Sequence, residues 1–172
     1  MDLLEMMCQR RSVRSFKNQP VEEEKLNRIL DAGLLAPTSM NRRPCMFYAV
    51  KDPEMKKQFS GIKKAGGAFL ADAPAVIAVF ADENKADTWI EDSSIALTFM
   101  ILEAESLGLS SCFVQVYLRK GEDGSDAEDN IRSLFNLPEN NRVSGILALG
   151  YAEKKPAPYS LEQLDRSALK EI

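Results

Sequence analysis

The feature that most constrains the fold is the unbroken apolar run PAVIAVFA at residues 74–81. A strand that faces water on one side alternates apolar and polar residues, whereas a run without alternation suits a strand buried on both faces. We therefore predict a central strand here, at the middle of a sheet that helices cover. With 172 residues, the chain has the length of one domain with a sizeable core.

The rest of the chain predicts further strands and helices in irregular alternation. Strands are predicted at residues 46–50, 111–117 and 143–149. Helices are predicted at residues 2–9, 22–34, 55–59, 89–107 and 126–135, with a short final helix in 160–172. Two helices precede the first strand, which favours an α+β sheet packed by helices over a regular βαβ ladder.

Charge and histidine content exclude several function classes. Lys and Arg number 22 against 26 Asp and Glu, so a chain of net charge −4 is a poor candidate for nonspecific binding to nucleic acid or anionic membranes. The chain has no histidine, which rules out Ser-His-Asp and Cys-His catalysis and histidine zinc sites. We expect no metal site, and expect any chemistry to use other side chains or a bound cofactor.

The cysteines and the apolar segments indicate a compartment. Cys8, Cys45 and Cys112 are odd in number and form no CxxC pair, so we expect reduced and chemically incidental thiols. The basic residues of the N-terminal segment follow its apolar stretch, unlike a signal peptide, and no apolar run approaches the ~18 residues of a membrane span. We expect a soluble, cytoplasmic protein.

Three segments could carry chemistry, and each has a plain structural alternative. Arg10, Arg11, Ser12 and Arg14 could converge on a phosphate, because the planar guanidinium donates to two oxygens at once, or could form a solvated basic turn. The polar loop 37–44 offers donors and acceptors to a flat heteroaromatic ligand, or merely connects two elements. Residues 108–117 are predicted to be a helix end that runs into a core strand, and they suggest a function only beside the other two segments.

Taken together, these segments resemble the nitroreductase family of FMN-dependent oxidoreductases, at the small end of its size range. The family motif R-R-S-x-R-x-F is matched by residues 10–16, and A-P-S-S-x-N-x-Q-P-W is matched in part by residues 36–45. A helix end of the form A-x-x-L-G-L, at residues 104–109, and a strand end L-G-Y, at 149–151, follow in order. The resemblance extends from residue 1 to about residue 155.

The resemblance implies a single nitroreductase-like FMN-binding domain in an intertwined homodimer. Its central sheet would have about four to five mostly antiparallel strands flanked by helices, and the tail from about residue 151 would extend toward the partner subunit. Two FMN molecules would lie at the dimer interface. The implied FMN contacts are Arg10, Arg11, Ser12, Arg14, Pro37, Thr38, Ser39, Asn41, Arg43, Phe113, Val114 and Gln115.

The resemblance also assigns roles to these segments. The basic motif would hold the phosphate and the pyrimidine edge, with Arg14 tuning the reduced flavin. The partner's 37–41 loop would lie along the ring, and residues 113–116 would approach the flavin N5. No side chain would be catalytic, because the chemistry takes place on the flavin.

The implied reaction is ping-pong hydride transfer from NADH or NADPH through FMN to a nitroaromatic, quinone or similar acceptor. The alternatives are a family member with other chemistry, such as dehalogenation, and a non-catalytic flavin-binding scaffold. The scaffold alternative in particular stays open because the sequence departs from the family pattern near N5.

Several positions depart from the family pattern. Arg43 replaces the family's Gln, and Cys45 replaces its Trp. Val114, Gln115 and Val116 replace a glycine-rich or Glu-Gly stretch near N5. The late basic residue that reaches the phosphate has no clear match, and its candidates are Lys154, Lys155 and Arg166.

Overall fold

The computed structural model describes residues 2–170 and shows a four-stranded antiparallel sheet. The strands are β1 (Cys45–Val50), β2 (Ala75–Asp82), β3 (Ser110–Gln115) and β4 (Asn141–Gly150), in the spatial order β1-β2-β4-β3. The helices are α1 (Leu3–Gln9), α2 (Glu23–Leu35), α3 (Pro53–Ser60), α4 (Trp89–Ser106) and α5 (Ala127–Leu134). The predicted α+β class and antiparallel sheet are therefore confirmed.

The strand β2 is central, as its composition predicts. Every residue from Ala75 to Ala81 is fully buried, and the side chains alternate between two apolar cores. Val76, Ala78 and Phe80 face the core under α3 and α5, while the intervening residues face the core under α2 and α4. Burial on both faces explains why this strand carries no polar residue before its last position.

Local signals set the helix ends. Asp2 and Glu5 form a reciprocal capping box at the start of α1, in which the Glu5 amide donates to Asp2 Oδ1 at 2.8 Å. Asp52 and Asp126 cap α3 and α5 by accepting hydrogen bonds from the amides of Met55 and Glu128, without the reciprocal bond of a capping box. After α4, Gly108 has a φ of +75°, in the left-handed conformation that often ends a helix. Glycine adopts this conformation without the steric cost that a Cβ atom would add.

The predicted final helix is wrong. Residues 160–170 form two separate 3₁₀ turns, Leu161–Gln163 and Arg166–Ala168. Leu161, Leu164 and Leu169 are exposed. A short helix depends on packing of its apolar face for stability, and these side chains are too exposed to provide that packing.

The two ends of the chain run side by side along one edge of the sheet. Phe16 pairs with Ala152 in an antiparallel bridge, and the Tyr159 amide donates to the Cys8 carbonyl at 3.0 Å. The described tail therefore follows residues 8–17 of its own chain. Its extension toward a partner subunit stays a prediction.

Candidate functional site

The basic N-terminal motif is fixed against β3, the free edge strand of the sheet. Ser12 and Ser111 form a parallel bridge, and the Val13 amide donates to the Ser111 carbonyl at 3.0 Å. Val13 is buried in the core, so its neighbours Ser12 and Arg14 point outward to solvent. One apolar residue inside RRSVR thus holds the polar ones at the sheet edge.

Three cations lie beside β3. The charges of Arg14, Lys63 and Arg10 all act on the Cys112 thiol, whose pKa burial nevertheless raises above the ordinary value. Lys63 Nζ donates to the Gln115 carbonyl at 3.2 Å, and its pKa is lowered first by burial and then by nearby Arg119. Within residues 2–170, none of these three cations has a carboxylate at ion-pair distance. We call Arg10, Arg14 and Lys63 the cation cluster.

Lys63 is a site residue that the sequence analysis did not identify. It follows α3 in the glycine-containing segment 61–67 and contacts Gln115, at the other end of β3 from the Ser111 bridge to the N-terminal motif. Its signal in the sequence is two adjacent lysines between glycines, a pattern too common to single out. Arg119, whose Nη2 donates to Gln115 Oε1 at 2.7 Å, was missed for the same reason.

The edge of β3 supplies backbone groups rather than side chains. The carbonyls of Ser111 and Gln115 accept hydrogen bonds from groups outside the sheet. In an antiparallel strand, the backbone groups of every second residue face the same side, so the amide and carbonyl of Phe113 also face the free edge. The side chains of Val114 and Val116 are buried in the core. Of the predicted contacts 113–115, Val114 therefore presents neither its buried side chain nor its backbone polar groups to the free edge, because the same alternation turns those groups toward β4.

Arg11 is engaged by the tail instead of the cluster. Its guanidinium donates to the Ala157 carbonyl and lies 4.4 Å from the centre of the Tyr159 ring. Among the candidate late basic residues, Lys155 pairs with Glu105 at the end of α4. Lys154 and Arg166 are exposed, and neither forms an ion pair with the residues that the structure describes.

The loop 36–44 contains one short 3₁₀ turn, Ser39–Asn41, and is held in place by side-chain hydrogen bonds. The Ser39 amide donates to Asp92 Oδ1 at 2.9 Å, and Asp92 is a buried carboxylate in the first turn of α4. Thr38 Oγ1 accepts from the Arg43 amide at 3.0 Å, and Asn41 Oδ1 accepts from Arg43 Nε at 2.9 Å. Pro37 is exposed at the start of the loop. Asp92, which organises this loop, was not predicted.

Cys45, at the end of this loop, carries an unreactive thiol. Burial, and then the nearby Asp92 carboxylate, raise its pKa to about 12. The thiol therefore stays protonated at neutral pH.

The loop and the basic motif lie at opposite corners of the sheet. Cys45 of β1 pairs with Ala81 of β2, which pairs with Arg142 at the start of β4. Ser111 of β3 pairs with Leu149, near the other end of β4. Three strand spacings and about seven residues of rise place Cys45 and Ser111 roughly 25 Å apart. Within the described chain, no hydrogen bond or ion pair links the loop 36–44 to residues 10–14 or to β3.

Comparison with known proteins decides the family. The sequence model of the Nitroreductase family matches residues 7–66 and 60–151, which is most of the chain. The chain belongs to the Nitroreductase family. Across 169 residues it is 34% identical to a Methanothermobacter thermautotrophicus protein with the provisional name NADH dehydrogenase/NAD(P)H nitroreductase, covering 96% of this chain and 85% of that one.

Other proteins of this family, one of them with a solved structure, are similar to the chain in sequence or in fold. An FMN-dependent nitroreductase structure from Clostridium difficile superposes with a TM-score of 0.95 at 38% identity, covering 98% of each chain. The FMN reductase [NAD(P)H] of Bacillus subtilis is 30% identical over 132 residues, covering 64% of this chain and 52% of that one. In this nitroreductase-family chain, no helix among residues 2–170 is long and apolar enough to cross a membrane.

Proposed function

We propose that the protein is an FMN-dependent oxidoreductase that passes hydride from NADH or NADPH to a nitroaromatic, quinone or similar acceptor. The observation that carries this proposal is the cation cluster beside the free edge of β3. Three positive charges that have no carboxylate partner in the described part of the chain, next to outward backbone groups, suit an anionic ligand with a hydrogen-bonding heterocycle. Family membership, and the names of the relatives that use FMN and NAD(P)H, support the same cofactor and reductant.

The residues of the cluster divide into two roles in this proposal. Arg10, whose Nη1 lies 3.5 Å from Ser12 Oγ, would bind the FMN phosphate together with that hydroxyl. Arg14 and Lys63 would face the pyrimidine edge, where the flavin gains negative charge on reduction. The outward amide of Phe113 would donate to the ring. When bound, FMN supplies the hydride chemistry, which amino-acid side chains do not provide.

We further propose that each cofactor site combines two copies of the chain. A ligand held by residues 10–14 cannot also touch Thr38, Ser39 and Asn41 of the same chain, because the two segments lie at opposite corners of the sheet. The loop of a second copy can supply those contacts. This is the arrangement that the family resemblance implies.

The surface of the chain supports the same dimer. Helix α1 buries none of its residues, and α4 exposes apolar side chains on its outer face. On α1, the end of α2, the loop 36–44 and α4, the exposed large apolar residues are Leu3, Leu4, Met7, Leu34, Leu35, Met40, Ile90, Ile95 and Phe99. Monomeric proteins rarely expose so many large apolar side chains on adjoining elements, so a second copy is the expected cover.

The test is the colour and redox response of the purified protein. We expect it to bind FMN and to lose its flavin absorbance when NADH or NADPH is added without oxygen. A protein that takes up no FMN contradicts the proposal. A protein that keeps FMN but is not bleached by either reductant supports the non-catalytic scaffold instead.

A further inference from the structure

The loop 36–44 presents one arginine whose charge the described chain leaves unpaired. Arg42 forms an ion pair with Asp87, with 3.0 Å between Nη1 and Oδ1. Its neighbour Arg43 has no carboxylate at ion-pair distance among residues 2–170. Arg43 nonetheless is held at two points, since its backbone amide and its Nε both donate to loop side chains. Its two terminal amino groups make no hydrogen bond within that part of the chain.

The backbone beneath Arg43 is strained. Met40, Asn41 and Arg43 have φ values of 51°, 56° and 48°, in the left-handed region that non-glycine residues rarely adopt. Such strain persists only where surrounding contacts hold it, and it clusters at ligand-binding sites. Here the buried Asp92 carboxylate, through Ser39, supplies one of those contacts.

An apolar recess adjoins the guanidinium. Arg43 and Thr38 line a cavity of about 50 Å³ whose other walls come from α2, β1 and α4. The remaining lining residues are Gly33, Leu34, Ala36, Cys45, Phe47 and Ala96. A free guanidinium beside an apolar wall suits a ligand that joins an anionic group to a flat apolar body.

We propose that Arg43 recognises an anionic group, a carboxylate or a phosphate, on a ligand bound against the flavin of the neighbouring subunit. This inference rests on the proposed function. The free terminal amino groups would donate two parallel bonds to the anion, a geometry that an ammonium or an amide cannot reproduce. The anion could be a carboxylate on the acceptor or the 2′-phosphate that distinguishes NADPH from NADH.

The experiment compares Arg43→Gln with wild type and with Arg42→Gln, a matched control whose arginine is already paired. In one arm, the oxidised holoenzyme is titrated with 4-nitrobenzoate and with the neutral 4-nitrobenzamide, and binding is read from the flavin absorbance without turnover. In the other arm, dissociation constants for NADPH and NADH come from the saturation of anaerobic flavin reduction. FMN affinity is measured for every variant.

We expect Arg43→Gln to weaken binding of one anionic ligand by about tenfold, as for a lost charged hydrogen bond, and to leave its neutral or non-phosphorylated counterpart unchanged. Weaker binding of 4-nitrobenzoate alone assigns the anionic group to the acceptor, and weaker binding of NADPH alone assigns it to the reductant. Arg43→Lys should retain part of the preference for the anionic ligand over its neutral or non-phosphorylated counterpart. Arg42→Gln should retain all of that preference.

Two results overturn the inference. One is an Arg43→Gln protein that binds FMN normally and discriminates charged from neutral ligands as wild type does. The other is an equal loss for charged and neutral ligands, which would show a steric role. A wild-type protein that binds no FMN would instead defeat the proposed function.

Discussion

At the residue scale, the arginines of the chain differ in what neutralises them. Arg28, Arg42, Arg132 and Arg142 each pair with a carboxylate. Arg10 and Arg14 pair with no carboxylate among residues 2–170, and they share one sheet edge with Lys63. Crowding like charges costs free energy unless a ligand compensates it, so this cluster gains free energy from binding an anion.

The first prediction separates anchoring from tuning in the N-terminal motif. Arg10→Ala should weaken FMN binding by roughly 1.5–3 kcal/mol, the value of a lost charged hydrogen bond, and high FMN should restore most of the activity. Arg14→Ala should instead lower the flavin midpoint potential, because the charge gained on reduction loses a nearby cation. The measurements are FMN affinity by fluorescence and the midpoint potential.

Arg11→Ala is the matched control, because Arg11 contacts Ala157 and Tyr159 of the tail. It should leave both quantities near the wild-type values. If Arg10→Ala and Arg14→Ala lose affinity alike and neither changes the potential, the motif is a phosphate clamp only.

The second prediction concerns the thiols. Because the pKa of Cys45 is about 12, iodoacetamide at pH 8 should leave it unmodified in the folded protein and modify it after unfolding, as mass spectrometry can show. The folded state holds this proton more tightly than the unfolded chain does. The thiol's contribution to stability is therefore complete below about pH 8.5 and is lost as the pH rises toward 12.

Replacing all three cysteines by alanine or serine should leave turnover within a few-fold of wild type. Rapid alkylation of Cys45 in the folded protein would contradict its assigned burial. Loss of turnover at unchanged FMN content would contradict an incidental role for the thiols.

At the element scale, the sequence predicts more of the fold than of the site. Unbroken apolar runs, caps and the Gly108 stop specify the sheet and the main helices, because these signals are local. The predicted final helix is the exception, because the apolar residues of the tail stay exposed and a short helix needs a packed apolar face. Lys63 and Asp92 act through residues far along the chain, and only the fold brings them to Gln115 and Ser39.

The third prediction tests the packing that sets the β3 edge. A Cβ at Gly145 would lie 2.4 Å from the Phe113 ring and 2.6 Å from the Val114 carbonyl oxygen. Gly145→Ala should therefore lower the free energy of unfolding by about 1–3 kcal/mol, as overpacking does, and weaken FMN binding at the displaced edge. Urea unfolding and FMN titration measure the two effects.

Gly61→Ala serves as the control, because the nearest atom to its added Cβ is a carbonyl oxygen at 3.8 Å. It should leave stability and FMN affinity unchanged. Equal stability of Gly145→Ala and wild type would show that Phe113 and β3 have room to move.

At the scale of the whole molecule, the fourth prediction is a homodimer that does not separate into folded monomers. The outer face of α4 exposes Phe99 by 40% and Ile90 and Ile95 by 38% each, and α1 adds further apolar side chains. Light scattering at micromolar concentration should give twice the mass of the chain, and Phe99→Glu should lower the mass or the solubility. A monomeric mass with FMN retained would contradict the dimer.

The central claim, that each cofactor site joins the basic motif of one copy to the loop of another, has a direct test. One chain carries Arg10→Ala and Arg14→Ala, a second carries Thr38→Ala, Ser39→Ala and Asn41→Ala, and the two are co-expressed with different tags. Purification through both tags isolates the mixed dimer. Each homodimer should bind little FMN, because every site in it is damaged.

The measurement is the FMN content of that mixed dimer. If each site spans two copies, one of the two sites in the mixed dimer combines an intact motif with an intact loop. The mixed dimer should then retain about one FMN per dimer and half the wild-type activity. If the motif and the loop of a single chain form the site, both sites are damaged. A mixed dimer that binds no more FMN than the homodimers would contradict the account.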